Sequence, residues 1–309
     1  MDSPRSPLVL VVGATGALGR PVVRLLRERG VAVRALNRHP EQASDLAALG
    51  AEVVQGDLID PASLRRACTG VTCVLACAHG ILGRGRWRSE AVDDQGHRSL
   101  IEAAREARVE RFVYVSAHGA RADHPVDFFR TKHRVEQLLA AGGLQHAILR
   151  PTAFMEHHVH NFVGQSVLDK GRVQLIGPAT KPRNFVAASD VATFAVRALL
   201  EQPLPFRTLA IGGHGHLSNL EVARLYARLA GIDLKASHLP VRVARLIARL
   251  ASPWHPGMAR IMGMLALPDE AFDERFDGAA ALELAHGLRL KRTEDFVAEQ
   301  VARSRLAAG

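Results

Sequence analysis

The chain has 309 residues, more than a single hydrophobic core usually supports, so we expect one large domain or a domain with a smaller lobe. Its 48% hydrophobic content is ordinary for a globular protein, and its net charge of +9 comes mostly from scattered arginines. Dispersed charge and few aromatic residues argue against a specific nucleic-acid surface. No apolar run is long enough to predict a membrane span.

The polar N-terminal segment MDSPRSP leads directly into a predicted strand, so we expect no signal peptide and a cytoplasmic location. Cys68, Cys73 and Cys77 are odd in number and contain no Cys-x-x-Cys pair. We interpret them as small buried residues of a protein in a reducing compartment.

Short apolar runs alternate with longer helical patterns over the first 150 residues. The predicted strands cover 8–13, 31–38, 51–58, 72–78, 111–117 and 145–151. The predicted helices run to residue 29 and then cover 41–49, 61–69, 90–107 and 132–141. Strands that alternate with crossover helices predict an α/β fold with a doubly wound parallel sheet.

The pattern loosens beyond Pro151. We predict helices at 155–170, 188–200, 218–231 and 240–267, with a break at 252–257, and a terminal helix within 269–304. Short strands are expected at 172–177 and 207–213, and Ser218 and Glu221 form a predicted capping box. The predicted division is a main domain over 1–154 and a smaller, mainly helical lobe over 155–309, with elements that return to the main sheet.

The segment GATGALG at 13–19 lies between the first strand and the first helix. Gly13 permits a tight turn, Gly16 allows backbone to approach a pyrophosphate, and Gly19 allows close contact of helix and strand. Thr15 is placed to cap the helix. Strand, glycine loop and helix in this order predict a dinucleotide site at the helix N-terminus.

The ends of the second and third strands indicate the form of the cofactor. Asn37 and Arg38 stand where an NAD-binding enzyme has a carboxylate, and a guanidinium suits a 2′-phosphate. NADP(H) is therefore preferred over NAD(H). Asp57 is placed to accept from the adenine amino group, with Leu58 packing on that ring, or to cap the helix that begins near Pro61.

These motifs resemble a known family. GATGALG, GDLID, RFVYVSAHGA, ILRPTAF and FVAASDVATFAVRALL, together with Lys132 in FFRTKHRVEQLL, are similar to the NmrA-like group of atypical short-chain dehydrogenase/reductases. The resemblance runs from about residue 8 to 231 and implies a Rossmann-like fold. It also implies that the cofactor is held by Gly13, Thr15, Gly16, Arg38, Asp57 and Lys132, and that Pro151, Thr152 and Phe154 border the nicotinamide. The predicted cofactor-binding set also includes Ala17, Leu18, Asn37, Leu58 and Ala76.

The sequence departs from the superfamily at one position. Full members of the superfamily use a Ser-Tyr-Lys set, in which the phenol moves a proton. Here Ser116 and Lys132 are present, but Phe128 stands one helical turn before the lysine. His118 is the best-placed substitute acid, although a loop histidine that faces water is the simpler interpretation. Hydride transfer to a quinone, an activated alkene or a conjugated dye would need no enzyme acid.

Three further segments are candidates for binding. Trp87 in GRGRWRSE, Phe128 and His157 are predicted to line a substrate pocket, and a solvated loop is the alternative for the first. EHHVH lacks a third ligand, so no metal is predicted. The apolar stripe of 241–254 is expected to be buried, and contact with an anionic membrane or a partner protein is the alternative.

The leading hypothesis is an NADP(H)-dependent reductase of an electron-poor small molecule. The alternatives are a non-catalytic NADP(H)-binding redox sensor and a scaffold or assembly protein. The partners expected are a small-molecule substrate and no specific nucleic acid, while substrate identity and oligomeric state stay open.

Overall fold

The structure, a computed structural model, describes residues 7–265 and 274–308. The chain folds into two compact units. The first contains the residues up to Arg150 and Val191–Leu209, and the second contains Pro151–Asp190 and the residues from Ala210 onward.

The first unit contains the alternating strands and helices that the sequence predicts. Its strands are β1 (Leu8–Val12), β2 (Ala32–Asn37), β3 (Glu52–Gln55), β4 (Cys73–Ala76), β5 (Arg111–Val115) and β6 (His146–Pro151). Its helices are α1 (Gly19–Glu28), α2 (Ser44–Ala48), α3 (Pro61–Cys68), α4 (His97–Glu106) and α5 (Asp127–Ala141). A π-helix over Glu90–Gly96 precedes α4.

The later segments supply short strands and most of the remaining helices. The strands are β7 (Ala153–Phe154), β8 (Arg172–Ile176), β9 (Phe185–Val186), β10 (Thr208–Ile211) and β11 (Lys235–Leu239). The helices are α6 (Gln165–Lys170), α7 (Ala188–Leu200), α8 (Asn219–Ala230), α9 (Val241–Ala251), α10 (Pro256–Leu265), α11 (Ala279–His286) and α12 (Thr293–Ala308). A second π-helix covers Met155–Gly164.

The main sheet has seven strands in the order β10-β6-β5-β4-β1-β2-β3. β1 pairs in parallel with both β2 and β4, with Val12 opposite Leu36 on one side and Ala76 on the other. The chain therefore winds outward in both directions from β1, and ligands of such sheets bind where the winding reverses, at the carboxyl ends of the strands. The predicted Rossmann-like, doubly wound parallel sheet is confirmed.

The first unit has a core on both faces of its sheet. Leu10 and Val12 pack with alternate residues of β4 and β5 and with Leu64 and Leu100 from helices α3 and α4. Val9 and Val11, which point to the opposite face, are also fully buried. Continuous apolar strands are the expected sequence of a sheet that is covered on both sides.

The second unit has its own core. The π-helix over Met155–Gly164 packs with α8 and α12, and its Gly164 lies so close to Tyr226 that an added Cβ would be 2.2 Å from the ring. The predicted capping box of α8 is confirmed, since Ser218 and Glu221 each bond the other's backbone N–H. β11, which the sequence did not predict, pairs with β8.

Two predicted helices differ in their first turns. The segments 90–107 and 155–170 both begin as π-helices. The sequence pattern did not predict this, because it assumes 3.6 residues per turn and a π-helix has more. Helix α5 begins at Asp127 and not at residue 132, so it carries both Phe128 and Lys132.

The expected burial of the 241–254 stripe is wrong. Helix α9 buries only Ala244 among its residues, while Leu246 and Leu250 are 56% and 64% exposed and Trp254 beyond its end is 84% exposed. Periodicity reveals an apolar face but not what covers it, which explains the error. Among the described residues, no helix combines the length and apolar character that crossing a membrane requires.

Candidate functional site

The glycine loop has the tight geometry that its sequence predicts. Gly13 has a φ of +97°, and an added Cβ would lie 2.7 Å from the backbone nitrogen of Ala78. A Cβ on Gly19 would lie 2.2 Å from the carbonyl oxygen of Gly13. Both positions therefore require glycine, the first for its φ and the second for the contact of α1 with the loop.

The predicted capping role of Thr15 is wrong. Helix α1 begins at Gly19, Leu18 precedes it, and no side chain caps the first turn. Arg20 Nε instead donates to the carbonyl oxygen of Thr15 over 3.0 Å.

The loop leaves backbone donors available beside this helix terminus. Within the described chain, the amides of Thr15, Ala17 and Leu18 donate no hydrogen bond. Unused amides at the N-terminus of a ten-residue helix attract an anion through both their hydrogen atoms and the helix dipole. The loop thus fits the pyrophosphate of a dinucleotide.

The polar residues after β2 and β3 lie beside a tryptophan. Asp57 Oδ2 accepts a hydrogen bond of 2.7 Å from Trp87 Nε1, and the guanidinium carbon of Arg38 lies 5.4 Å from the centre of the Trp87 ring. Asn37 Oδ1 accepts from the amide of His39, while its Nδ2 is buried without a partner. The structure therefore brings Trp87 to the two residues predicted for the adenosine end.

The alternative that Asp57 caps α3 is wrong. Asp60 is the N-cap residue, and its side chain accepts from the amide of Ala62 over 3.0 Å. Leu58 and Ala76, which the sequence assigned to the cofactor, are 6% and 0% exposed and belong to the core of the first unit.

Lys132 lies inside the first unit and is 3% exposed. Its Nζ donates to the carbonyl oxygen of Val115 over 2.9 Å and lies 4.9 Å and 5.5 Å from the ring centres of Tyr114 and Phe128. Burial lowers the pKa of Lys132, and the negative charge of Asp93 opposes this shift. The ammonium is thus held by one carbonyl and two aromatic faces, with no phenol oxygen in the place that Phe128 occupies.

Ser116 and His118 follow β5. Ser116 is 5% exposed, its amide donates to Leu149 over 2.7 Å, and its Oγ is buried without a partner. Lys132 bonds the carbonyl of the residue before Ser116, so these two predicted catalytic residues lie at the same strand end. His118 is half-buried in the turn that follows.

The sequence interpretation missed a buried polar group near Lys132. Asp93 is fully buried, and its carboxylate accepts from the Gly80 amide over 2.8 Å and from the Ser89 hydroxyl. His97 is also fully buried, with Nδ1 2.9 Å from the carbonyl oxygen of Val92. Burial lowers the pKa of His97 to about 4, and the charge of Lys132 adds to that effect. The sequence signal for this group was the spacing of Asp93 and His97, two polar residues at i and i+4 on an otherwise apolar helix face.

The remaining predicted site residues belong to the second unit. Thr152 Oγ1 donates to Asn184 Oδ1 over 2.9 Å, and the same oxygen accepts from the Gly213 amide. Pro151 is buried, Phe154 ends β7, and His157 is half-buried on the π-helix, where burial lowers its pKa. No group of three His, Cys, Asp or Glu side chains in the described ranges could hold a metal ion.

Comparison with known proteins identifies the family. The sequence profile of the family described as NAD(P)H-binding matches residues 13–202. The chain belongs to this family. The predicted membership of the NmrA-like atypical short-chain dehydrogenase/reductases is confirmed, as is the expectation of a nicotinamide dinucleotide cofactor.

Proteins similar in sequence to this chain include both an assembly factor and an enzyme. The chain is 27% identical over 296 residues to the photosystem II assembly factor Ycf39 of Cyanophora paradoxa, which covers 94% of this chain and 89% of that protein. It is 30% identical over 225 residues to an NAD(P)H azoreductase of Xenophilus azovorans, which covers 72% and 74% respectively.

Solved structures share the fold of this chain. An NADPH-dependent quinone oxidoreductase from Escherichia coli, determined in complex with NADPH, superimposes with a TM-score of 0.73. The two chains are 22% identical, and the match covers 96% of this chain and 99% of the other.

Proposed function

We propose that this chain is an NADPH-dependent reductase that delivers hydride to an electron-poor small molecule, such as a quinone, an activated alkene or a conjugated dye. The observation that carries the proposal is the environment of Lys132. A buried ammonium remains where it can bind a ribose hydroxyl, while Phe128 offers no proton to an alcohol or ketone. Chemistry that needs the cation but not the phenol fits these residues best.

The first unit offers groups for each end of the cofactor. Bound NADPH would supply the hydride. The amides of Thr15, Ala17 and Leu18 would bind the pyrophosphate, and Arg38 the 2′-phosphate, through charge-assisted hydrogen bonds. Lys132 would orient the nicotinamide ribose with donors that its bond to Val115 leaves available.

The proton requirement restricts the acceptor. Ser116 has an unpartnered hydroxyl that can donate a hydrogen bond to an acceptor oxygen, and His118 in the turn that follows has an imidazole N–H that can do the same. Neither replaces a phenol bonded to the lysine. An acceptor whose reduced anion takes its proton from water removes that requirement. The roles of Pro151, Thr152, Phe154 and His157 stay predictions.

The relatives support this choice of reaction class. The names of the azoreductase and the quinone oxidoreductase specify azo compounds and quinones as their substrates. Both kinds of compound are conjugated and electron-poor. We infer the same class of acceptor for this chain.

The test is NADPH oxidation followed at 340 nm with a quinone, an azo dye and an activated alkene. We expect turnover with at least one of them and a loss of about tenfold or more in kcat/KM for Lys132→Met, since one hydrogen bond from a charged group contributes about 1.5–3 kcal/mol. Lys170→Met, which changes an exposed lysine, is the matched control. Saturable NADPH binding with no turnover on any acceptor would refute the proposal.

A second candidate is an NADP(H)-binding sensor or assembly protein that acts at a membrane surface. Helix α9 carries Leu246 and Leu250 on an exposed apolar face, with Trp254 beyond its end and three exposed arginines, Arg242, Arg245 and Arg249. An apolar face flanked by arginines and a terminal tryptophan suits the interface of an anionic bilayer. The similarity to an assembly factor supports this candidate.

Co-sedimentation with vesicles separates the two candidates. Binding to phosphatidylglycerol vesicles at 0.15 M salt is expected to fall when Leu246 and Leu250 are both replaced by Ser. Salt at this concentration screens the attraction between arginines and lipid headgroups but does not weaken the apolar contacts that the two leucines supply. Leu284→Ser, at a leucine that is 88% exposed on α11, is the control. No binding by the wild type would eliminate the membrane candidate.

A further inference from the structure

The loop between β4 and α4 places Trp87 among charged groups rather than apolar ones. The indole is 37% exposed, and its Nε1 donates to Asp57 Oδ2 over 2.7 Å. The guanidinium carbons of Arg38 and Arg86 lie 5.4 Å and 5.2 Å from the ring centre. Both distances are within the range of a cation–π contact.

The charges around this indole do not balance. Neither Arg38 nor Arg86 forms an ion pair with any described residue, and Asp57 supplies the single carboxylate bonded to the ring. Two positive groups beside one negative group leave net positive charge at the ends of β2 and β3. The indole holds the two guanidiniums in one place despite their mutual repulsion. An anion with several oxygens would balance this charge and accept hydrogen bonds from both guanidiniums.

We propose that Arg86 joins Arg38 in binding the 2′-phosphate of NADPH, and that Trp87 is the positioning residue that holds both guanidiniums. The inference rests on the proposed use of NADPH and assigns the residues that select it. Asp57 then acts through Trp87, as the acceptor that fixes the indole, and not as the partner of the adenine amino group.

Fluorescence titration measures the selectivity of the protein for NADPH over NADH. The chain has two tryptophans, so Trp254→Phe leaves Trp87 as the single reporter. In this background, NADPH and NADH are titrated against the protein and against Arg86→Ala. We expect Arg86→Ala to weaken NADPH binding about tenfold or more, as loss of a hydrogen bond between charged groups implies, and to leave NADH binding unchanged.

Arg88→Ala is the matched control, because Arg88 lies in the same loop but is paired with Glu90 at 3.3 Å. It should change neither affinity. Equal weakening of NADPH and NADH by Arg86→Ala, or no weakening of either, would overturn the assignment of Arg86.

The role of Asp57 has its own test. If Asp57 acts through Trp87, then Asp57→Ala and Trp87→Phe should both weaken NADPH binding and spare NADH, as measured by isothermal titration calorimetry because Trp87→Phe removes the fluorescent reporter. If Asp57 instead contacts adenine, Asp57→Ala weakens both cofactors equally, and the positioning role is wrong. Circular dichroism and thermal unfolding check that each variant is folded.

The outcome is separable from that of the proposed function. NADPH selectivity that depends on Arg86, without turnover on any acceptor, supports this inference and refutes the reductase. Turnover with NADPH and NADH alike, unaffected by Arg86→Ala, supports a reductase and refutes the inference.

Discussion

The ion pair between Glu136 and Arg150 fixes the helix that carries Lys132. Glu136 lies one turn after Lys132 on α5, and its side chain is 2% exposed. Arg150 on β6 donates from Nε to Oε1 over 2.9 Å and from Nη2 to Oε2 over 2.5 Å. We predict that Arg150→Met lowers the free energy of unfolding by about 3–5 kcal/mol, because it leaves a buried carboxylate whose nearest remaining basic group within the described residues is the His133 imidazole, 3.7 Å away.

The loss in the free energy of unfolding depends on which residue of the ion pair is replaced. The Arg150 side chain is 31% exposed, so water can solvate its charge when Glu136 is neutralised. Glu136→Gln should therefore cost only about 1–2 kcal/mol, close to the value of a lost hydrogen bond. We therefore expect replacement of Arg150, the more exposed residue, to destabilise the protein more than replacement of Glu136. Since native proteins are stable by only about 5–15 kcal/mol, the difference is readily measured.

Urea unfolding of the two single variants and the double variant tests this reasoning. The double variant should recover about 2 kcal/mol relative to Arg150→Met, because it no longer buries an unpaired charge. Arg105→Met is the control, since Arg105 and Glu102 form an exposed pair at 3.6 Å and such pairs contribute about 0–1 kcal/mol. An Arg150→Met variant no less stable than this control would refute the argument.

Three further predictions concern residues near Lys132. Ser116→Ala should leave stability unchanged or raise it by up to about 1 kcal/mol, because its hydroxyl has no partner, while lowering kcat/KM for the acceptor. The folded pKa of His97 is about 4 against 6.5, so the unfolded chain gains a proton first as the pH falls. Stability should drop by about 3 kcal/mol between pH 6.5 and 4 in urea unfolding, and less in His97→Asn. Phe128→Tyr should raise NADPH-dependent reduction of a simple ketone by about 10²-fold, and an unchanged rate would show that the missing acid is not limiting.

Much of the fold was predictable because its signals are local. Short apolar runs that alternate with helical patterns indicated the parallel strands, and the glycine loop combined strand, turn and helix in one short segment. The i, i+4 relation of Phe128 and Lys132 also needed only the helix period. Each of these features depends on residues that are neighbours in the chain.

The errors have a different physical origin. Trp87 and Asp57 are 30 positions apart, and their hydrogen bond depends on how a loop folds back over a strand end. The exposed face of α9 likewise depends on what packs against the helix, and sequence periodicity contains no information on that. The Asp60 cap was missed because two aspartates stand within reach of the same helix start, and only backbone geometry decides between them.

The usual Ser-Tyr-Lys set combines proton transfer by the phenol with cofactor binding by the lysine, and the absence of the phenol here separates these two roles. Burying an ammonium costs several kcal/mol unless other groups compensate, and here one carbonyl and two aromatic faces do so. An ammonium has three donors, and within the described residues Lys132 uses one of them. The remaining donors can bind ribose hydroxyls whether or not a phenol is present. Under the proposed role of Lys132, phenylalanine at position 128 removes the acid but not the ribose contact, so Lys132→Met should weaken NADPH binding even in a chain that transfers no hydride.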